Sequence, residues 1–116
     1  MEEIWKPIIG YEGQYEVSNL GNVKTLNYYN RGCEKFLKPR DNTKGYFIVA
    51  LYKNGIRKYY SLHRLVANTF IPNPDNKPCI NHIDENRMNN VVSNLEWCVI
   101  NITIIMVIEY QKYLKR

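Results

Sequence analysis

Between Ile80 and Trp97 the chain reads Ile-Asn-His-Ile-Asp-Glu-Asn-Arg-Met-Asn-Asn-Val-Val-Ser-Asn-Leu-Glu-Trp, which places one of its two histidines in a run dense with asparagine and acid. Apolar, strand-like residues bracket the run, Cys79-Ile80 before it and Leu95-Glu96-Trp97 after it. These residue types suit a single-metal phosphodiester site. An imidazole takes a proton from water, side-chain oxygens hold a hard cation, and an amide fixes the imidazole's orientation. The same composition also makes turns, because Asn and Asp side chains cap backbone groups and tolerate left-handed geometry. Spacing alone favours the turn.

Asn81-His82-Ile83-Asp84, the polar loop through Asn89-Asn90, and Ser93-Asn94-Leu95-Glu96-Trp97 resemble the core of HNH endonucleases, more narrowly the homing-type nucleases of phages. The upstream His-Arg-Leu-Val-Ala, His63 to Ala67, belongs to the same pattern, and the likeness is continuous from Leu62 to Trp97. The resemblance implies His82 as the general base that activates water against the scissile phosphate. It implies Asn94 as the residue that hydrogen-bonds the imidazole, and Asn81 as a metal ligand where many relatives carry aspartate. The implied cation is Mg²⁺ or another divalent ion, with no organic cofactor. A neutral Asn81 gives the metal little charge, so affinity without DNA phosphate is expected to be weak. Asp84 is either an outer carboxylate of the site or a turn cap.

The resemblance stops after Trp97-Cys98. Its last metal ligand would fall at position 103, which here is Thr103, inside the β-branched apolar run Val99 to Ile108. That run is shorter than the ~18 residues of a membrane span and conflicts with the polar helix expected there. One reading is that residues 99–116 are out of frame, since a one-base shift near codon 99 turns position 103 into Asn, His or Tyr. The expectation is an incomplete metal site and impaired cleavage. The alternative is a non-catalytic DNA-binding protein derived from such a nuclease.

The elements that must carry these residues are short. Tyr15-Glu16-Val17 and Val23-Lys24-Thr25 alternate as strands about the turn residues Ser18 to Asn22, which predicts a hairpin packed by Trp5, Tyr11, Tyr15 and Val17. Trp5, Gly10-Tyr11-Glu12-Gly13, Tyr15, Val17-Ser18-Asn19, Gly21 and Val23 resemble the nuclease-associated modular domain that precedes HNH cores and is regarded as a DNA-contacting module. Asn27 to Asn42 reads as polar and irregular, its Arg31, Lys35, Lys38 and Arg40 interleaved with aromatics, either a phosphate-tracking surface or a solvated loop. Tyr46 to Tyr52 and Ile56 to Ser61 form a second hairpin about Lys53-Asn54-Gly55. There, Arg57 and Lys58 either face a DNA backbone or guard an edge against pairing with other chains. Leu62, Leu65, Val66, Thr69 and Phe70 have helical spacing, closed by Pro72 and Pro74. His63 on this helix either supports the core or touches DNA, and support is the preferred reading, because nothing near it in the sequence completes a site.

The predicted class is α+β: a β-hairpin module with an antiparallel sheet and short helix, then a ββα-metal core whose last helix is doubtful. The predicted division is 1–45 and 46–116. With 116 residues and 45% hydrophobic content, the chain suits one compact unit or two very small ones. The net charge of +5 is uneven: residues 1–60 hold ten Lys/Arg against six Asp/Glu, and the remainder six against five. The electrostatic footprint on double-stranded DNA is therefore expected mainly on the first half, including Lys24. The odd trio Cys33, Cys79 and Cys98 argues against a disulfide framework or zinc site and for a reducing cytoplasm, a bacterial host's if the gene is a phage's. The acidic start Met-Glu-Glu lacks the features of a signal peptide. No membrane partner is expected, and the oligomeric state is left open.

Overall fold

The structure, a computed structural model, describes residues 1–28 and 31–99. Among these described residues, three antiparallel sheets and one α-helix follow in chain order. The first sheet is β1 (Trp5–Pro7), β2 (Tyr15–Ser18), β3 (Val23–Tyr28) and β4 (Cys33–Phe36), paired in that order. The second is β5 (Arg40–Asp41), β6 (Phe47–Lys53) and β7 (Ile56–Ser61), and the third is β8 (Cys79–His82) with β9 (Leu95–Cys98). Helix α1 (Leu62–Phe70) lies between the last two sheets in sequence. The α+β class and both predicted hairpins are present.

The β6–β7 turn follows from its residues. Asn54 and Gly55 have φ of 52° and 75°, the doubly positive pair of a hairpin turn whose twist matches its strands. Helix α1 turns Leu62, Leu65, Val66 and Ala67 inward and ends at Phe70, just before Pro72. Cys79 and Cys98 face each other across β8–β9, and all three cysteines are free thiols.

Two strands differ from expectation. The stretch Asn27 to Asn42 is not an irregular loop, because β4 and β5 form within it. Both strands are exposed throughout, so no alternation marks them. They exist by pairing with β3 and β6.

One core joins all three sheets. Tyr15, Val17 and Val23 of the first sheet pack in one cluster with Val49 and Leu51 of the second, Leu62, Leu65 and Val66 of α1, and Leu95 of β9. Val17, Leu51 and Val66 are completely buried, each worth about 1.5–3 kcal/mol. Tyr11 and Tyr60 hydroxyls meet at 2.9 Å, and the Tyr15 hydroxyl accepts from the Tyr52 N–H at 3.1 Å, tying the first sheet to the second. The pairing Arg40↔Ile48 and Asp41↔Phe47 crosses residue 45, so sheet and core are continuous across the 45/46 division. Among the described residues, no helix is long and apolar enough to cross a membrane.

Candidate active site

The loop between β8 and β9 carries residues 83–94, and Asn94 closes it. Its side-chain amide donates to Asp84 Oδ1 at 2.9 Å and to the Asn89 carbonyl at 2.8 Å, while its Oδ1 accepts from the Asp84 N–H at 3.0 Å. Its own carbonyl accepts from the Ile83 N–H at 2.8 Å. Asp84 returns the ties by accepting from the Asn86 N–H and from the Asn89 side chain. These bonds to the ionised form, led by Asn89, hold the Asp84 carboxyl below its usual range. Asp84 is a turn cap.

The imidazole's partner is Asn90, not Asn94. His82 Nε2 lies 2.8 Å from Asn90 Oδ1, and both residues are buried, at 6% and 4% exposure. A carbonyl-type oxygen only accepts, so Nε2 is the donor of this bond. Asn94 cannot take this place because its amide is spent on Asp84 and Asn89.

Asn90 is set from far away in the sequence. The β2–β3 turn packs under it: the Val92 N–H donates to the Asn19 carbonyl at 2.8 Å, and Gly21 lies against the Asn90 backbone. That turn is tied in its own right, by Ser18 Oγ donating to Glu3 and Asn19 Oδ1 accepting from the Ile4 N–H. The N-terminal module thus props up the residue that orients the imidazole.

His63 stands next to His82, which sequence position does not reveal. Its ring lies 5.3 Å from that of His82 and 5.3 Å from that of Tyr46. Burial, then the neighbouring His82 and Arg64, lower His63 from the usual 6.5 to about 4. At neutral pH it stands beside His82 uncharged.

His82, though buried, forms one wall of an open cleft of about 440 Å³, shared with Tyr46, Ile80, Asn81, Glu85 and Arg87. Asn81 is exposed, and its Nδ2 donates to Glu96 Oε1 at 2.8 Å across β8–β9, leaving its Oδ1 as the free end of the amide. A hard cation takes oxygen donors, so the amide fits one, but it is a single neutral ligand. Among the described residues, no three His, Cys, Asp or Glu side chains come together to hold a metal ion. Position 103 and the tail beyond it lie outside the described residues.

The expected DNA contacts divide. Lys24 is withdrawn from that set, since its ammonium sits 3.6 Å from Glu16 and 3.3 Å from Glu34, over the Trp5 ring, and is largely covered. Lys35 bonds the Tyr28 hydroxyl and lies over its ring on exposed β4. Arg31, Lys38 and Arg40 are exposed, as are Arg57 and Lys58 on β7, where Arg57 packs on Tyr59.

Residues 3–52 match the NUMOD4 motif. The chain is 47% identical over 76 residues to an uncharacterized HNH endonuclease of Acanthamoeba polyphaga mimivirus, covering 66% of this chain and 23% of that protein. It is 38% identical over 100 residues to DNA endonuclease I-HmuI of Bacillus phage SP01, covering 86% of this chain and 55% of the other. The solved structure of the HNH homing endonuclease I-HmuI, described for DNA binding and cleavage, superposes with a TM-score of 0.77 and 36% identity over 96% of this chain and 60% of that one. This chain therefore spans a little over half the length of I-HmuI and under a quarter of the viral relative.

Proposed function

We propose that this chain, which has the sequence and fold of an HNH homing endonuclease and carries a NUMOD4 motif, hydrolyses phosphodiester bonds of double-stranded DNA with a divalent cation. The observation that carries the reading is the His82–Asn90 pair, with His82 on the wall of a cleft shared with Asn81. Asn90 holds the Nε2 proton, so Nδ1 of His82 accepts the proton of a water lined up on the phosphorus. His63, neutral beside it, adds no charge to oppose that transfer. Asn94 keeps the loop closed and is a positioning residue rather than the imidazole's partner.

Asn81 Oδ1 would hold the cation from the protein side, with DNA phosphate oxygens completing its shell. The cation, Mg²⁺ or a similar ion, supplies charge stabilisation for the leaving oxygen. Glu96, by taking the Asn81 amide hydrogen, keeps the amide's oxygen end for that purpose. Residues 1–45 serve as the DNA-contacting module and 46–116 as the nuclease core, a division of labour within one continuous core. Arg31, Lys35, Lys38, Arg40, Arg57 and Lys58 are the proposed phosphate contacts. The protein acts in the host cytoplasm if phage-encoded.

The second reading is a DNA-binding protein without catalysis, favoured by Thr103 standing where the resemblance places the last metal ligand. Plasmid nicking with Mg²⁺ or Mn²⁺ separates the two. Cleavage lost in His82→Ala, with DNA binding kept, supports the nuclease; binding with no cleavage by the unaltered chain supports the second reading.

A further inference from the structure

We propose that Arg87 is the phosphate-holding residue of the cleft, a guanidinium set in place to receive the phosphodiester group facing His82. The inference rests on the nuclease reading for its place in catalysis, but the binding it asserts can be measured without cleavage. Arg87 sits in the loop after β8, and its Cζ lies 4.9 Å from the centre of the Tyr46 ring. Its Nη1 donates to the Lys44 carbonyl at 3.1 Å. One contact fixes the plane of the fork and the other its rotation, so the remaining N–H groups are pre-oriented. Tyr46 is itself 6.2 Å from the His82 ring, and all three residues line the same cleft.

Among the described residues, no carboxylate lies within 4.0 Å of the Arg87 guanidinium. Among the described residues, the ion pairs within 4.0 Å are those of Lys24 with Glu16 and Glu34. Glu85 lines the cleft too, on the same loop, and does not reach Arg87 at that distance. A fixed planar cation with spare donors, beside a base and a neutral amide ligand, matches two non-bridging phosphate oxygens. A neutral Asn81 holds a cation weakly, and Arg87 gives the phosphate a positive partner that does not depend on that cation.

The test uses the full chain as wild type, Arg87→Ala and Arg87→Lys, each checked for an unchanged unfolding midpoint. Inorganic phosphate is titrated in while the Arg87 Nε–H and His82 ring signals are followed by NMR, and plasmid nicking with Mn²⁺ is measured in parallel. The expected result is a saturable shift of both signals in the wild type, loss of the His82 response in Arg87→Ala, and partial retention in Arg87→Lys. Nicking turnover falls on the order of 100-fold in Arg87→Ala, with a smaller change in KM. An identical His82 response in Arg87→Ala overturns the proposal, whether or not the wild type cleaves. Absence of nicking in the wild type counts against the nuclease reading alone, and wild-type turnover in Arg87→Ala counts against the role of Arg87 alone.

Discussion

Gly21 and Asn90 meet so closely that no side chain fits between them: a Cβ on Gly21 would stand 2.9 Å from the Asn90 carbonyl oxygen. Gly21 also has φ of +85°, a conformation that L side chains rarely adopt. The β2–β3 turn is thus pressed against the residue that holds the His82 imidazole. Substituting Gly21→Ala is expected to cost about 1–3 kcal/mol through strain and to displace Asn90. Thermal unfolding reads the first effect, and ¹⁵N shifts of the His82 ring read the second. A variant of full stability with an unchanged imidazole would refute the coupling.

Asn90 and Asn94 have separable roles. Asn90→Ala removes the acceptor on Nε2 and frees the ring to change tautomer, so nicking is expected to fall about 10–100-fold. Asn94→Ala instead removes three side-chain bonds of the loop and lowers stability by about 1–3 kcal/mol or more. Comparing turnover with unfolding midpoints for both variants checks the division. The same loss of stability in each, with no tautomer change in Asn90→Ala, contradicts it.

His63 gives stability a pH dependence of known sign. Its folded value is about 4 against the usual 6.5, so between those values the unfolded chain binds more protons than the folded one. Its stabilising contribution is whole above pH 6.5 and drains away as pH falls toward 4. Denaturant midpoints measured from pH 7 to pH 4 should therefore drop, and His63→Gln should flatten that part of the slope. An equal slope in both proteins would remove His63 as its source.

Salt dependence sorts the basic residues. Lys24 already faces two carboxylates, so Lys24→Ala is expected to leave the slope of log affinity against log salt nearly unchanged. Arg57→Ala or Lys58→Ala should each reduce its magnitude by about 0.9, as for one lost phosphate contact. Equal effects from all three would show that the pairing of Lys24 does not persist on DNA.

Much of this architecture is legible where the cause is local. Asn54-Gly55 dictates its turn, the spacing of Leu62, Leu65 and Val66 dictates α1, and the alternation of Tyr15 to Val17 dictates β2. β4 and β5 are not legible, since strands exposed on both faces carry no pattern and depend on their neighbours. The site divides in the same way. His82 and the loop can be found from residue types, but Asn89, Asn90 and Asn94 are chemically alike. Choosing Asn90 requires the contacts of Asn19 and Gly21 far upstream. His63 is missed for a related reason, because α1 brings it to His82 only when the sheets pack.

Metal-dependent nicking of supercoiled plasmid by the wild type and His82→Ala tests the central claim most directly. The account predicts slow nicking by the wild type with Mg²⁺ or Mn²⁺, none with the metal chelated, and loss on the order of 100-fold or more in His82→Ala with DNA binding retained. Nicking that persists undiminished in His82→Ala, or that needs no divalent cation, would contradict it.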